Sequence, residues 1–238
     1  MAIKNLPTMK SIFRTSFNDN QVGIFRGRRR PEDPGDQTEV YQLDENFTTD
    51  PEYTETDSGG AGAGVSVTGG AMILDTGTVD DAWAKVVGTD TFTDAETQGS
   101  FVMEFRAKID FDANGDFEAY IGLGENGETY ADGSESMIQA TFNNEENLDA
   151  GFMARKDAVG AGSEAAAWRI TDNTWTTYRI EVLGSGGVQY YKDGDLLYTD
   201  TTNIPTDRDM EFVAKIYNRA NPGATQRLYI DWIRVYSL

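Results

Sequence analysis

Apolar and polar positions alternate along most of this chain. Phe101, Met103, Phe105, Ala107 and Ile109 alternate with Val102, Glu104, Arg106, Lys108 and Asp110, a period of two that predicts a long, half-buried strand. Asn114-Gly115 then turns the chain into a second strand, Phe117 to Gly122. Trp175 to Leu183 repeats the alternation, and Val188–Tyr191 and Leu196–Tyr198 form a hairpin through Asp193-Gly194. Further strands are predicted at 40–43, 71–74, 81–88, 136–142, 148–155, 165–170 and 210–217, with Ser58 to Gly64 as a Gly-rich loop. No segment carries a convincing helical period. About a dozen closely spaced strands predict a two-sheet β-sandwich or jelly roll.

The closing run, Leu228-Tyr-Ile-Asp-Trp-Ile-Arg-Val-Tyr236, is almost wholly β-branched or aromatic. It reads as a central strand around which the other elements are built. Asp231 sits among apolar neighbours and needs a partner there.

Charge divides the chain. Residues 1–30 hold seven basic residues against Asp19, a net +6, whereas the following 208 residues hold thirteen against thirty-nine, a net −26. Residues 1–38 therefore read as a basic N-terminal arm and linker, and 39–238 as the sandwich domain. Ser11–Phe17 and Gln21–Phe25 are short strand candidates, followed by Arg26, Arg28, Arg29 and Arg30 and the breaker-rich stretch 31–36. The arm has two readings: a first strand pair of the domain, or an anchor whose arginines dock on an acidic partner in a larger assembly. Without interleaved aromatics the arginine run is a weak nucleic-acid signal, and a domain this acidic repels nucleic acid and anionic membrane.

Acids scattered over every segment, with 13 Arg against 7 Lys, also fit a surface adapted to high salt. The alternative is an ordinary acidic surface. The absence of cysteine and histidine removes disulfides, thiolate nucleophiles, the usual general base and the commonest zinc ligands. No apolar run approaches the ~20 residues of a membrane span, and the N-terminus lacks a signal-peptide core. These features are compatible with a protein inside the cell or with a virion component released by lysis.

From about Leu43 onward the order of motifs resembles the concanavalin A-like jelly rolls, a superfamily of lectins, laminin G-like modules and family 16 glucanases. The resemblance rests on Leu43-Asp-Glu-Asn-Phe47, Thr68-Gly-Gly-Ala-Met-Ile-Leu74, Trp175-Thr-Thr-Tyr-Arg-Ile-Glu-Val182, Val188-Gln-Tyr-Tyr-Lys-Asp-Gly-Asp195 and the closing Ile230-Asp-Trp-Ile-Arg-Val-Tyr236. It implies an all-β sandwich. In the glucanases one strand carries three alternating carboxylates; the matching positions here are Met137, Gln139 and Thr141, none of which can serve in glycoside hydrolysis. Displaced acids such as Glu135, Glu145 and Glu146 keep a hydrolase open as a further reading.

The same resemblance implies a structural calcium at Asp231, Asn46 and Gly70, since a hard cation would neutralise a carboxylate on an apolar strand. The alternative is that Asp231 accepts hydrogen bonds from backbone or a nearby Arg. Asp110 to Asp116 imitates the start of an EF-hand loop, but its twelfth position is Ile121 and its Asn-Gly is explained by the hairpin. Trp83, Trp168, Trp175, Tyr190 and Tyr191 are available as sugar platforms or as core. The expectation is a non-enzymatic structural or attachment protein, a capsid decoration or tail component and homo-oligomer joined to its assembly by the arm. The alternative is a module recognising surface glycans.

Overall fold

The computed structural model describes residues 41–45, 47, 53–93, 100–112, 116–129, 136–143, 149–155, 163–202, 204–205, 209–219 and 223–237. They form fifteen strands: β1 Tyr41–Glu45, β2 Tyr53–Asp57, β3 Ala63–Thr68, β4 Ala71–Thr76, β5 Trp83–Thr93, β6 Phe101–Asp110, β7 Phe117–Glu125 and β8 Met137–Asn143. The remainder are β9 Asp149–Arg155, β10 Ser163–Arg169, β11 Thr176–Val182, β12 Val188–Lys192, β13 Asp195–Asp200, β14 Asp209–Asn218 and β15 Arg227–Ser237. One sheet of eight strands runs β13-β12-β11-β6-β15-β4-β3, with β1 also on β15; the other, of seven, runs β10-β9-β8-β7-β14-β5-β2. All pairings are antiparallel. This is the predicted jelly-roll sandwich of the concanavalin A-like kind.

Side-chain alternation makes the core. β6 turns Met103, Phe105, Ala107 and Ile109 inward, against Ile121, Leu123, Ile138, Phe212 and Ile216 from the other sheet. The buried Phe105 stacks on Tyr178, and Phe142 of the opposite sheet meets the same ring edge-on.

β15 is central, as its composition predicts. One flank pairs along its length with β6, and the other is shared end to end by β4, on Arg227–Ile230, and β1, on Ile233–Tyr236. Its register on β6 shifts between Ile230 and Trp232, so Asp231 is the extra residue of a bulge. Ile230 and Ile233 can thus both reach the core while Asp231 and Trp232 stay outside it.

β2 and β3 are strands the sequence pattern did not announce. Both are edge strands: Tyr-Thr-Glu-Thr-Asp in β2 is exposed beyond its first residue, and β3 begins inside the predicted Gly-rich loop. Edge strands bury little and carry polar or small residues, which weakens their periodic signal.

Candidate functional site

The outer face of the seven-stranded sheet follows from which side chains its strands send inward. β7 buries Phe117, Ala119, Ile121 and Leu123, so Glu118, Tyr120, Gly122 and Gly124 face out. By the same alternation β14 presents Val213, Lys215 and Tyr217, β5 presents Trp83, Lys85 and Val87, and β8 presents Met137, Gln139, Thr141 and Asn143. The register aligns these into rows across the sheet. Trp83, Tyr217, Glu118 and Asn143 form one; Lys85, Lys215, Tyr120 and Thr141 the next; Val87, Val213, Gly122 and Gln139 a third.

The third row lies under the turn that follows β7. Asn126 and Gly127 both have positive φ, 56° and 62°, the geometry of a two-residue turn that Asn-Gly favours. The turn folds back over the sheet. The Gln139 side-chain amide donates to the Glu128 carbonyl at 3.1 Å, and a Cβ added to Gly127 would run into the Val87 side chain. At Gly124 an added Cβ would overlap the Glu128 carbonyl oxygen. Glycine at 124 thus admits the turn, and Gln139 pins it. Met137, Gln139 and Val213 are in consequence fully buried although they point away from the core between the sheets.

The first row remains partly accessible, and in the second only Lys85 does. Trp83, Lys85, Glu118, Asn143 and Tyr217 are half-buried and Arg219 is exposed. The Lys215 ammonium lies 4.8 Å from the Trp83 ring centre and 5.4 Å from that of Tyr217, and the Arg219 guanidinium covers Tyr217 at 4.3 Å. Glu118 Oε2 accepts from Arg219 at 2.6 Å and from the Tyr120 hydroxyl at 2.7 Å. Burial, then the Glu118 charge and hydrogen bond, push the Tyr120 hydroxyl well above the usual phenol range. It is therefore a donor, not an activated nucleophile. For Arg219 burial acts downward, but the hydrogen bond and charge of Glu118 outweigh it and raise the pKa. The arrangement presents flat aromatic rings beside fixed donors and acceptors.

The positions matching a glucanase's catalytic carboxylates are occupied by side chains that hold structure. Gln139 serves the turn, and Thr141 is buried beside Tyr120 in the second row. Glu135, Glu145 and Glu146 lie outside the described residues, as do the arm with Arg26, Arg28, Arg29 and Arg30, and Asn114-Gly115.

Of the two readings of Asp231, the side-chain geometry displays the arginine one. Asp231 Oδ2 accepts from Arg106 Nη1 at 2.7 Å, across the bulge that turns both outward. Gly70 immediately precedes β4, on the flank of β15 nearest Asp231, and Asn46 lies outside the described residues. A calcium cage needs about six to eight oxygens. Among the described residues Asp231 Oδ2 is held by the Arg106 guanidinium, and no group of three His, Cys, Asp or Glu side chains that could hold a metal occurs.

The aromatic candidates separate. Trp83 joins the outer face just described, Tyr190 is buried and stacks on Tyr198, and Tyr191 lies beside Arg179 on the eight-stranded sheet. Trp175, between Lys108, Arg106 and Tyr229, borders a pocket of ≈ 120 Å³ that also reaches Phe142, Tyr178 and Lys192. Tyr217, Tyr120, Glu118 and Arg219 did not stand out in the sequence. Only the pairing of β5, β14 and β7 assembles them, but Asn126-Gly127 was a readable turn signal.

No family model and no curated protein matches the chain. Solved structures do. A Bacillus licheniformis β-glucanase has a TM-score of 0.61 at 18% identity, with 82% of this chain and 97% of that one covered. The laminarinase catalytic domain from Thermotoga maritima gives 0.60 at 16%, with 84% and 98% covered. The Emp47p carbohydrate recognition domain gives 0.60 at 9%, with 81% and 93% covered. Concanavalin A-like lectin domains and glucanases thus share this architecture, and at such identities the likeness concerns the fold alone.

Proposed function

We propose that this chain is a carbohydrate-binding jelly-roll module that holds glycan on the outer face of its seven-stranded sheet and does not hydrolyse it. The observation that carries this reading is the seat of Gln139. It stands at a position where the resemblance calls for a catalytic carboxylate, it is fully buried, and its amide fastens the turn over that part of the face. Hydrolysis by two carboxylates needs a pair about 5–10 Å apart flanking the scissile bond. Glu118 is committed to Arg219 and Tyr120. What stays accessible suits recognition: the Trp83 and Tyr217 rings for the apolar face of a sugar, and Glu118, Arg219 and Asn143 for its hydroxyls. The neighbouring folds include a carbohydrate recognition domain and glucanases, which supports carbohydrate as the ligand class.

The test is a glycan array followed by titration calorimetry with wild type and Trp83→Ala. Retention of one glycan class, lost in the variant, is the expected result. Equal binding by both proteins would show that this face does not hold the glycan.

The charge contrast between the arm and the domain favours a second, compatible reading. In it the arm fixes the module to an acidic partner in a larger assembly such as a virion, with the domain displayed outward. Deleting residues 1–38 should then leave glycan binding intact and abolish incorporation into the assembly; unchanged incorporation would refute the anchoring role.

A further inference from the structure

Lys192 ends β12 on the side of the sheet that faces the core. Val188 and Tyr190 precede it on that side and are fully buried, and its register partner on β11 is the buried Tyr178. The lysine therefore lines the pocket of ≈ 120 Å³, which has Tyr178, Ile109 and Phe142 as its apolar floor and the exposed Thr171 and Thr174 at its mouth. An ammonium beside such a floor calls for a counter-charge. Among the described residues none reaches it: the half-buried Lys192 makes no ion pair or hydrogen bond. Asp193, the carboxylate at the rim, is exposed and accepts from the Thr177 N–H at 3.0 Å, and Asp195, opposite Lys192 across the hairpin, is exposed as well. Lys108, the other cation of the pocket, is bonded to Asn173 and lies over the Trp175 and Tyr229 rings. An apolar base, a hydroxyl-bearing mouth and one uncommitted ammonium are thus brought together.

We infer that this pocket binds a small aromatic carboxylate, with its ring against Phe142 and Tyr178 and its carboxylate on the Lys192 ammonium. An engineered apolar cavity of about 150 Å³ takes up benzene, so a space of ≈ 120 Å³ with a polar mouth suits a single ring. The Phe142 and Tyr178 rings, which meet edge-on at 5.4 Å, offer it aromatic contact. A carboxylate accepts a charge-assisted hydrogen bond from an ammonium group. The molecule as a whole, at a net −20, repels anions, so such binding has to arise at Lys192 and not from general attraction. The Trp83 face lies on the outer side of the seven-stranded sheet, so glycan there and a carboxylate here occupy separate sites.

The experiment titrates the full chain, as wild type and Lys192→Met, with benzoate, with its neutral counterpart benzamide and with glucuronate. Calorimetry gives the affinities, and the amide signals of Thr174 to Tyr178 and of Lys192 in nuclear magnetic resonance spectra locate the site. Methionine keeps the apolar stem and breaks no ion pair, so the variant folds; circular dichroism and melting check this, and the selectivity of wild type decides without it. The expected result is saturable benzoate binding at least ~10-fold tighter than that of benzamide or glucuronate, with shifts at those signals. In Lys192→Met benzoate should bind no better than benzamide. Equal binding of the two by wild type would place the ammonium in water and overturn the anion seat. Tighter binding of glucuronate would overturn the aromatic assignment in favour of a sugar acid. No saturable binding, or shifts confined to other residues, would overturn the pocket as a site and leave the glycan reading, tested at Trp83, untouched.

Discussion

Replacing Gly124 by alanine tests how the turn is seated on the sheet. The new methyl carbon would overlap the Glu128 carbonyl oxygen and stand 3.2 Å from Gln139 Nε2. Backbone cannot yield as a flexible side chain does, so the turn must lift. Overpacking of this kind costs about 1–3 kcal/mol. Lifting the turn also breaks the Gln139–Glu128 hydrogen bond while the amide keeps its bond to the Leu123 carbonyl at 3.4 Å, roughly another 0.5–1.5 kcal/mol. Against this, alanine is favoured over glycine in a strand by roughly 0.5–1 kcal/mol. The net is about 1–3 kcal/mol, or roughly 2–12 °C in melting temperature for a domain of this size. Urea unfolding followed by tryptophan fluorescence measures it. Because Gln139→Ala removes the same contact, the double variant should lose clearly less than the sum of the singles. A Gly124→Ala protein within ~0.5 kcal/mol of wild type, or strict additivity with Gln139→Ala, would refute the seated turn.

Three further outcomes follow from the same geometry. Asp231→Ala should cost no more than about 1 kcal/mol, because the Arg106 pair is half-exposed, and the loss should vanish in an Arg106→Met background; a rise in melting temperature on adding calcium to wild type, absent in Asp231→Ala, would instead favour the cation. Tyr120 should fail to ionise with the exposed tyrosines in an alkaline absorbance titration. Its folded pKa is raised, so the linked stability is full below the unfolded value and lost as pH rises through it toward the folded value; Tyr120→Phe should remove that component, and simultaneous titration of all eleven tyrosines would contradict the burial. A net charge of −20 predicts that melting temperature rises as potassium chloride is taken from low to molar concentration, whereas a flat profile would show that self-repulsion is not a significant term.

Much of the sandwich was legible because its long strands are half-buried. β6 spans the ten residues whose alternation predicted it, and β15 is central, as nine nearly continuous apolar positions require. Asp231 was visible as a residue in need of a partner. Its partner was not, since Arg106 is brought opposite by a bulge that local pattern does not encode. β2 escaped notice because an exposed edge strand has no buried face to alternate. The outer face of the seven-stranded sheet was the least legible part. Trp83 was one of several candidate aromatics, and its companions Tyr217 and Glu118 come from strands far apart in the chain and meet only through register. The missing carboxylates on β8 were readable, but their structural replacement, a glutamine fastening a turn, required the fold of residues 124–128.

Binding without cleavage on the Trp83 face is read out by titrating the array-selected glycan into wild type and Trp83→Ala while counting reducing ends in the same samples. The expected result is saturable binding by wild type, loss of at least ~10-fold in affinity in the variant, and a constant count of reducing ends in both. Reducing ends released by wild type in proportion to protein concentration would contradict it.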